Sequence, residues 1–305
     1  MHKRDQVADL KLPLNQVAKH NLFGIDEQDY DAAKVAVLPV PYDATASYRT
    51  GARDGPDAII NASRNMELYS YELGKDISGI GIYTLPAMSP DVSSPENMIE
   101  GIKKEVGIIL QDRKLPLLLG GEHTITLGAL RAFKERNADF GVLCFDAHSD
   151  SRAELLGSRY MHGTVIARAR ELYPETFQVG LRSMDSAFAT KADRQKALSQ
   201  RELRGMGMRD AIEAIIDATP EKVYLTIDLD VLDPSEMPSV GTPEPDGLRF
   251  HELMQIIEEL GQRKELVGLD VTELCPIPYL HAPDYLAAKL IYLTLGYFLS
   301  RKESE

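Results

Sequence analysis

The chain has 305 residues, with 34 Lys plus Arg against 47 Asp plus Glu, a formal charge of -13 and 44% hydrophobic residues. This acidic balance excludes the clustered basic charge that binding to a phosphate backbone requires, so nucleic acid is not an expected partner. No run approaches the ~20 apolar residues of a membrane span and the first residues lack the apolar core of a secretory signal, so no membrane partner is expected either.

A chain of this length buries about 75% of its unfolded surface and needs no covalent staples. Its two cysteines, Cys144 and Cys275, lie in apolar stretches and read as buried thiols of a soluble protein in a reducing, cytoplasmic compartment. In chain order, short apolar runs at 34–40, 115–119, 140–145, 222–227 and 265–269 predict buried strands. Between them, 95–111 reads as a helix, with Ser93 and Glu96 as its capping box and Met98, Ile102, Val106 and Ile109 on one face. Further helices are predicted at 124–135, 208–217, 250–260 and 283–299. Strands alternating with helices predict an α/β fold with a parallel sheet covered on both faces. With no linker or repeat to divide it, the chain reads as a single domain over 1–305, of which 1–33 forms an N-terminal extension. The segments 42–57 and 233–247 carry the glycines and prolines of irregular loops and are placed at a pocket entrance.

The chemistry is concentrated where predicted strands end. The run 115–119 leads into Gly120-Gly121-Glu122-His123, Phe145 into Asp146-Ala147-His148-Ser149-Asp150, Ile227 into Asp228-Leu229-Asp230, and Leu269 into Asp270-Val271-Thr272-Glu273. In an open parallel sheet these ends lie along one edge, where ligand sites form. An Asp-x-His or Asp-x-Asp alone is more often a turn or a solvated loop, Gly120-Gly121 alone only a tight turn, and His123 alone a core histidine. Their conjunction at successive strand ends favours convergence. Several carboxylates brought together repel unless a cation compensates. Carboxylate oxygen with imidazole, and no cysteine within the clusters, suits Mn(II) or a similar divalent ion better than a structural Zn(II).

With these motifs, the sequence resembles the ureohydrolase family, the arginases and agmatinases. The matching segments are Gly-Gly-Glu-His-Thr at 120–124, Phe-Asp-Ala-His-Ser-Asp at 145–150, Asp-Leu-Asp-Val-Leu-Asp-Pro at 228–234, Gly-Thr-Pro-Glu-Pro at 241–245 and Asp-Val-Thr-Glu at 270–273. The resemblance runs from Gly51 to Lys289 and implies a three-layer α/β/α fold with a mainly parallel sheet and two Mn(II) per subunit. It implies that one ion is held by His123, Asp146, Asp150 and Asp228 and the other by Asp146, His148, Asp228 and Asp230, with Asp146 and Asp228 bridging. A hydroxide activated between two ions suits attack on a guanidinium carbon. The resemblance assigns Glu273 to hold the guanidinium, Asp150 to pass a proton to the leaving amine, and His162 to shuttle protons at the pocket mouth, although an ordinary loop histidine is the other reading of His162.

Four aspartates balance two divalent ions and Glu273 adds negative charge, so the site favours a cationic substrate over a phosphate ester. The segment Ser151-Arg152-Ala153-Glu154 lacks the Asn-containing stretch by which arginases hold the amino-acid end of arginine and looks closer to agmatinases. The expected substrate is therefore a small guanidino compound, agmatine first, giving putrescine and urea, with Glu154 or Glu244 as candidates for its ammonium end. A guanidinobutyrase, a guanidinopropionase, an arginase or a catalytically silent relative are the alternatives. The resemblance also implies a homo-oligomer, a trimer or hexamer. Asp246 replaces a frequent glycine and Asp284 a frequent threonine, and no role is assigned to Arg152, Arg182 or Ser183.

Overall fold

The computed structural model describes residues 20–25, 29–185 and 195–300. Ten strands are described: β1 (Val35–Val40), β2 (Tyr69–Ser70), β3 (Lys75–Asp76), β4 (Ile82–Thr84), β5 (Leu115–Gly120), β6 (Gly141–Phe145), β7 (Thr176–Leu181), β8 (Ala197–Ser199), β9 (Lys222–Asp228) and β10 (Glu265–Thr272). Apart from the small β2–β3 hairpin they form one parallel sheet in the order β4-β1-β5-β10-β9-β6-β7-β8. The four strands that lead into the acidic motifs, β5, β10, β9 and β6, are thus consecutive in space, although far apart in the chain.

The sheet separates two apolar layers, and the side-chain alternation of its strands feeds both. In β1, Val35 and Val37 join one core while Ala36, Leu38 and Val40 join the other. The first core is closed by α1 (Gly55–Ser63), α5 (Gln200–Met206), α6 (Met208–Ala218), α7 (Phe250–Arg263) and α8 (Ala282–Leu299). The second is closed by α2 (Pro95–Gln111), α3 (Thr126–Glu135) and α4 (Val165–Leu172). Each fully buried Leu, Ile or Val side chain contributes about 1.5–3 kcal/mol through removal from water. Such an apolar body can hold a charged cluster at one edge. Leu22 and Phe23, within the predicted N-terminal extension, are buried in the first core, where Phe23 packs edge-on against Tyr292. Even α8, the most apolar helix, carries Asp284 and Lys289, and among the described residues no helix is long and apolar enough to cross a membrane.

The structure corrects several local expectations. Ser94, not Ser93, caps α2, accepting from the Asn97 amide at 3.1 Å, while the Ser93 hydroxyl accepts from the Asn97 side chain. The segment 42–57 is not wholly irregular: a 3-10 turn covers Ala52–Asp54 and α1 begins at Gly55. Pro56 sits in the first turn of that helix, where a missing N–H costs nothing. Strand β10 continues to Thr272, so Asp270 lies inside the sheet rather than beyond its end.

Candidate metal centre

The acidic cluster is assembled by backbone as much as by side chains. The Asp146 Oδ1 atom accepts from the His148 amide (2.6 Å), Asp230 Oδ1 from the Ala147 amide (3.0 Å) and Asp228 Oδ1 from the Asp230 amide (2.9 Å). Two short turns and one bond between separate loops thus pin one oxygen of each of these carboxylates, and Oδ2 faces inward. Asp146 Oδ2, Asp150 Oδ2 and Asp228 Oδ2 lie 3.3, 3.5 and 3.4 Å from His123 Nδ1, and Asp230 Oδ2 lies 2.7 Å from His148 Nδ1. Asp146 Oδ1, at 3.8 Å from His148 Nδ1, links the two groups. All six residues singled out as ligands are therefore brought together in two overlapping sets.

Two of the carboxylates singled out from the sequence sit on left-handed backbone, Asp150 at φ 42° and Glu273 at φ 68°. That conformation is costly for a residue with a Cβ and recurs where a side chain must be aimed. At Asp150 the carbonyl accepts from the Ile166 and Ala167 amides in the first turn of α4, which holds the turn. At Glu273 the amide donates to the Gly121 carbonyl (2.7 Å) and the carboxylate accepts from the His123 amide (2.8 Å). Gly121 is there for close approach rather than for a turn: a Cβ would come within 2.0 Å of the Tyr42 carbonyl oxygen.

Burial and mutual repulsion set the electrostatics of the cluster. Burial first, then the charges of Asp150 and Asp230, push the Asp146 carboxyl up to about 7. Burial, followed by Asp230 and Asp146, pushes Asp228 well above the usual carboxylate range, and burial with Asp228 and Glu122 does the same to Glu273. Burial opposes protonation of the histidines, yet the carboxylates of Asp146, Asp150 and Asp228 facing its Nδ1 raise His123, and Asp230 raises His148 to about 11. His123 Nδ1 is fully buried without a hydrogen-bond partner, aimed at three carboxylate oxygens. An orphaned imidazole nitrogen in an oxygen-rich cluster fits a divalent ion of the manganese type.

Above the cluster opens a cavity of about 490 Å³ with Asp228, Asp230 and Glu273 on its walls. The loops 42–57 and 233–247 contribute Ser47, Arg49, Gly241 and Thr242 to the lining. His162 also lines it, its Nε2 3.1 Å from Ser47 Oγ and its Nδ1 3.5 Å from Thr45 Oγ1. Thr45 in turn is held by the buried Glu122 through its amide (2.7 Å) and hydroxyl (2.5 Å). Arg152 pairs with Asp185 at 3.2 Å on the cavity wall. Glu244 approaches His148 Nε2 at 3.7 Å, whereas Glu154 is exposed and does not line the cavity.

Sequence reasoning missed three features. Cys144 does lie in the cluster, with Sγ 3.9 Å from Asp146 Oδ2, because residues two apart on a strand share a face. Arg182 donates to the carbonyls of Gly180, Asp230, Val231, Leu232, Glu244 and Pro245, tying the loop after β9 to the 233–247 segment. Asp246 has φ 71°, a conformation that favours glycine, and it pairs with Arg204. Asp284 is buried at the start of α8 beside His281 (3.8 Å) and takes no part in the cluster.

The arginase family model matches residues 33–296. The chain belongs to the arginase family. An N(1)-aminopropylagmatine ureohydrolase from Thermus thermophilus is 36% identical over 90% of this chain and 94% of its own length. An agmatinase from Pyrococcus horikoshii is 33% identical, covering 88% and 93%. The crystal structure of an agmatine ureohydrolase from Thermoplasma volcanium superposes with a TM-score of 0.81 at 34% identity, covering 89% of this chain and 92% of that one. As a member of this family the chain is a ureohydrolase with the three-layer arginase fold.

Proposed function

We propose that this ureohydrolase hydrolyses agmatine to putrescine and urea with two manganese ions bound at the acidic cluster. The observation that carries the reading is the acidic end of the cavity: Asp150, Asp228, Asp230 and Glu273 line it, with Asp146 buried against His123 behind them. His123, Asp146, Asp150 and Asp228 would hold one ion and Asp146, His148, Asp228 and Asp230 the other. When bound, the pair would supply a deprotonated water as nucleophile at neutral pH.

The chain's own residues do the rest. Glu273, aimed by its left-handed backbone, takes the planar guanidinium through charge-assisted hydrogen bonds. Hydrolysis adds one water across a guanidino C–N bond and frees urea and the alkylamine, whose nitrogen must gain a proton. Asp150 would pass it, and His162, between Thr45 and Ser47 at the cavity wall, would exchange protons with solvent. A second reading, agmatine extended by an aminopropyl group, is favoured by the Thermus relative's activity and by a cavity of about 490 Å³ that extends to the Arg152–Asp185 pair.

Urea release from manganese-reconstituted protein, measured on agmatine, N(1)-aminopropylagmatine, arginine, guanidinobutyrate and guanidinopropionate, tests the proposal. The highest kcat/KM is expected for agmatine. Preference for the aminopropyl compound selects the second reading, preference for a guanidino acid or arginine overturns both, and no turnover despite two bound ions identifies a silent relative.

A further inference from the structure

Beneath the cluster lies a polar stalk that the reaction does not use. On β9, Tyr224, Thr226 and Asp228 share a face, and on β10, Gly268, Asp270 and Thr272 stand opposite them in register. A Cβ on Gly268 would come within 2.7 Å of the Tyr224 ring, so the glycine makes room for the tyrosine. Tyr224, Thr226 and Asp270 are fully buried, in a layer otherwise filled by hydrocarbon. Tyr224 donates its hydroxyl proton to Asp270 Oδ2 (2.7 Å) and Thr226 donates its own to Asp270 Oδ1 (2.5 Å). Thr126 lies 3.4 Å from the Thr226 hydroxyl.

A hydroxyl has one proton to give. Having given it to Asp270, Thr226 Oγ1 can only accept from His123 Nε2, 2.9 Å away. The Nε2 atom must therefore be the protonated nitrogen, and Nδ1 is left to face Asp146, Asp150 and Asp228. We propose that Asp270, acting through Thr226, is a positioning residue that fixes His123 in its Nε2–H tautomer and so presents a bare Nδ1 to a metal ion. The inference rests on the metal-centre reading above and extends it to residues that touch neither ion nor substrate. A histidine ligand held by a partner on its other ring nitrogen is a general feature of metal sites, and loss of such a partner weakens metal affinity about 10–100-fold.

The test is manganese binding rather than turnover. Equilibrium dialysis with elemental analysis gives the affinity of each site, and electron paramagnetic resonance distinguishes a coupled ion pair from a single ion. Thr226→Val keeps the shape and removes the acceptor; one of the two affinities is expected to fall about 10–100-fold, with the pair signal giving way to a single-ion signal at concentrations that fill the wild type. Thr226→Ser restores both ions. Asp270→Asn, which offers one acceptor to two hydroxyl donors, is expected to weaken the same site and decides the matter should Thr226→Val fail to fold. Unchanged affinities in Thr226→Val, or in Asp270→Asn where Thr226→Val does not fold, overturn the positioning role and leave the hydrolase reading intact. The predicted dependence in a protein that releases no urea does the reverse, and a wild type that never takes up a second ion overturns both.

Discussion

The two histidines of the cluster sit at the ends of strands in the same sheet, yet in different surroundings. His123 is buried beneath the cluster and backed by a hydroxyl relay between β9 and β10. His148 is 22% exposed and lies on the loop after β6, with Glu244 from a second loop behind it. One half of the site is built by the sheet; the other depends on loops that Arg182 ties together. The contrast teaches that the first half should be intolerant of change, while the second, on the cavity wall, should tolerate substitution better.

The largest effect erases the contrast. Asp228→Ala removes a carboxylate shared by both halves, so both ions are expected to be lost and kcat to fall by roughly 10³-fold or more, since members of one constellation fail together. Next, His123→Asn and His148→Asn should each reduce manganese content from two ions to one but differ in stability. Without ions, His123→Asn leaves the buried Asp146 and Asp228 and the half-buried Asp150 without the imidazole they face, a loss of about 3–5 kcal/mol in urea unfolding; the partly exposed His148 should cost less. Equal losses would show that the two halves are not built differently.

Smaller effects probe the loops. Arg182→Ala strands several carbonyls and is expected to cost on the order of 2–3 kcal/mol, with weaker metal binding confined to the His148 half. Asp233→Ala tests the tie between the ends of the 233–247 loop, because the Asp233 carboxylate accepts from Ser235 and from the Asp246 and Gly247 amides. The Ser235 hydroxyl, with these amides, lowers its pKa to about 2. A carboxyl with a lowered folded-state pKa stabilises the fold above its unfolded value of about 3.9 and loses that contribution as pH falls through about 2. The difference in melting temperature between wild type and Asp233→Ala should therefore be constant above about pH 5 and shrink on acidification.

How far all this could be read from sequence divides along the same line. Strand-forming runs ending in Asp, His and Glu made the central strands and the clustered residues legible, because a parallel sheet puts such ends on one edge. Boundaries were blurred where polar residues lie inside the sheet: Asp270 read as the start of a loop, and only its register opposite Thr226 reveals a buried relay. Cys144 was discounted for its apolar neighbours, although its two-residue spacing from Asp146 places both on one face. Arg182 and Glu122 act through loops whose paths depend on long-range contacts. No local pattern encodes them.

Anomalous diffraction from manganese-soaked crystals tests the central claim most directly. Two peaks are predicted in each subunit, one within bonding distance of His123 Nδ1, Asp146, Asp150 and Asp228, the other of Asp146, His148, Asp228 and Asp230. A single peak at saturating manganese, or peaks away from these side chains, would contradict the account.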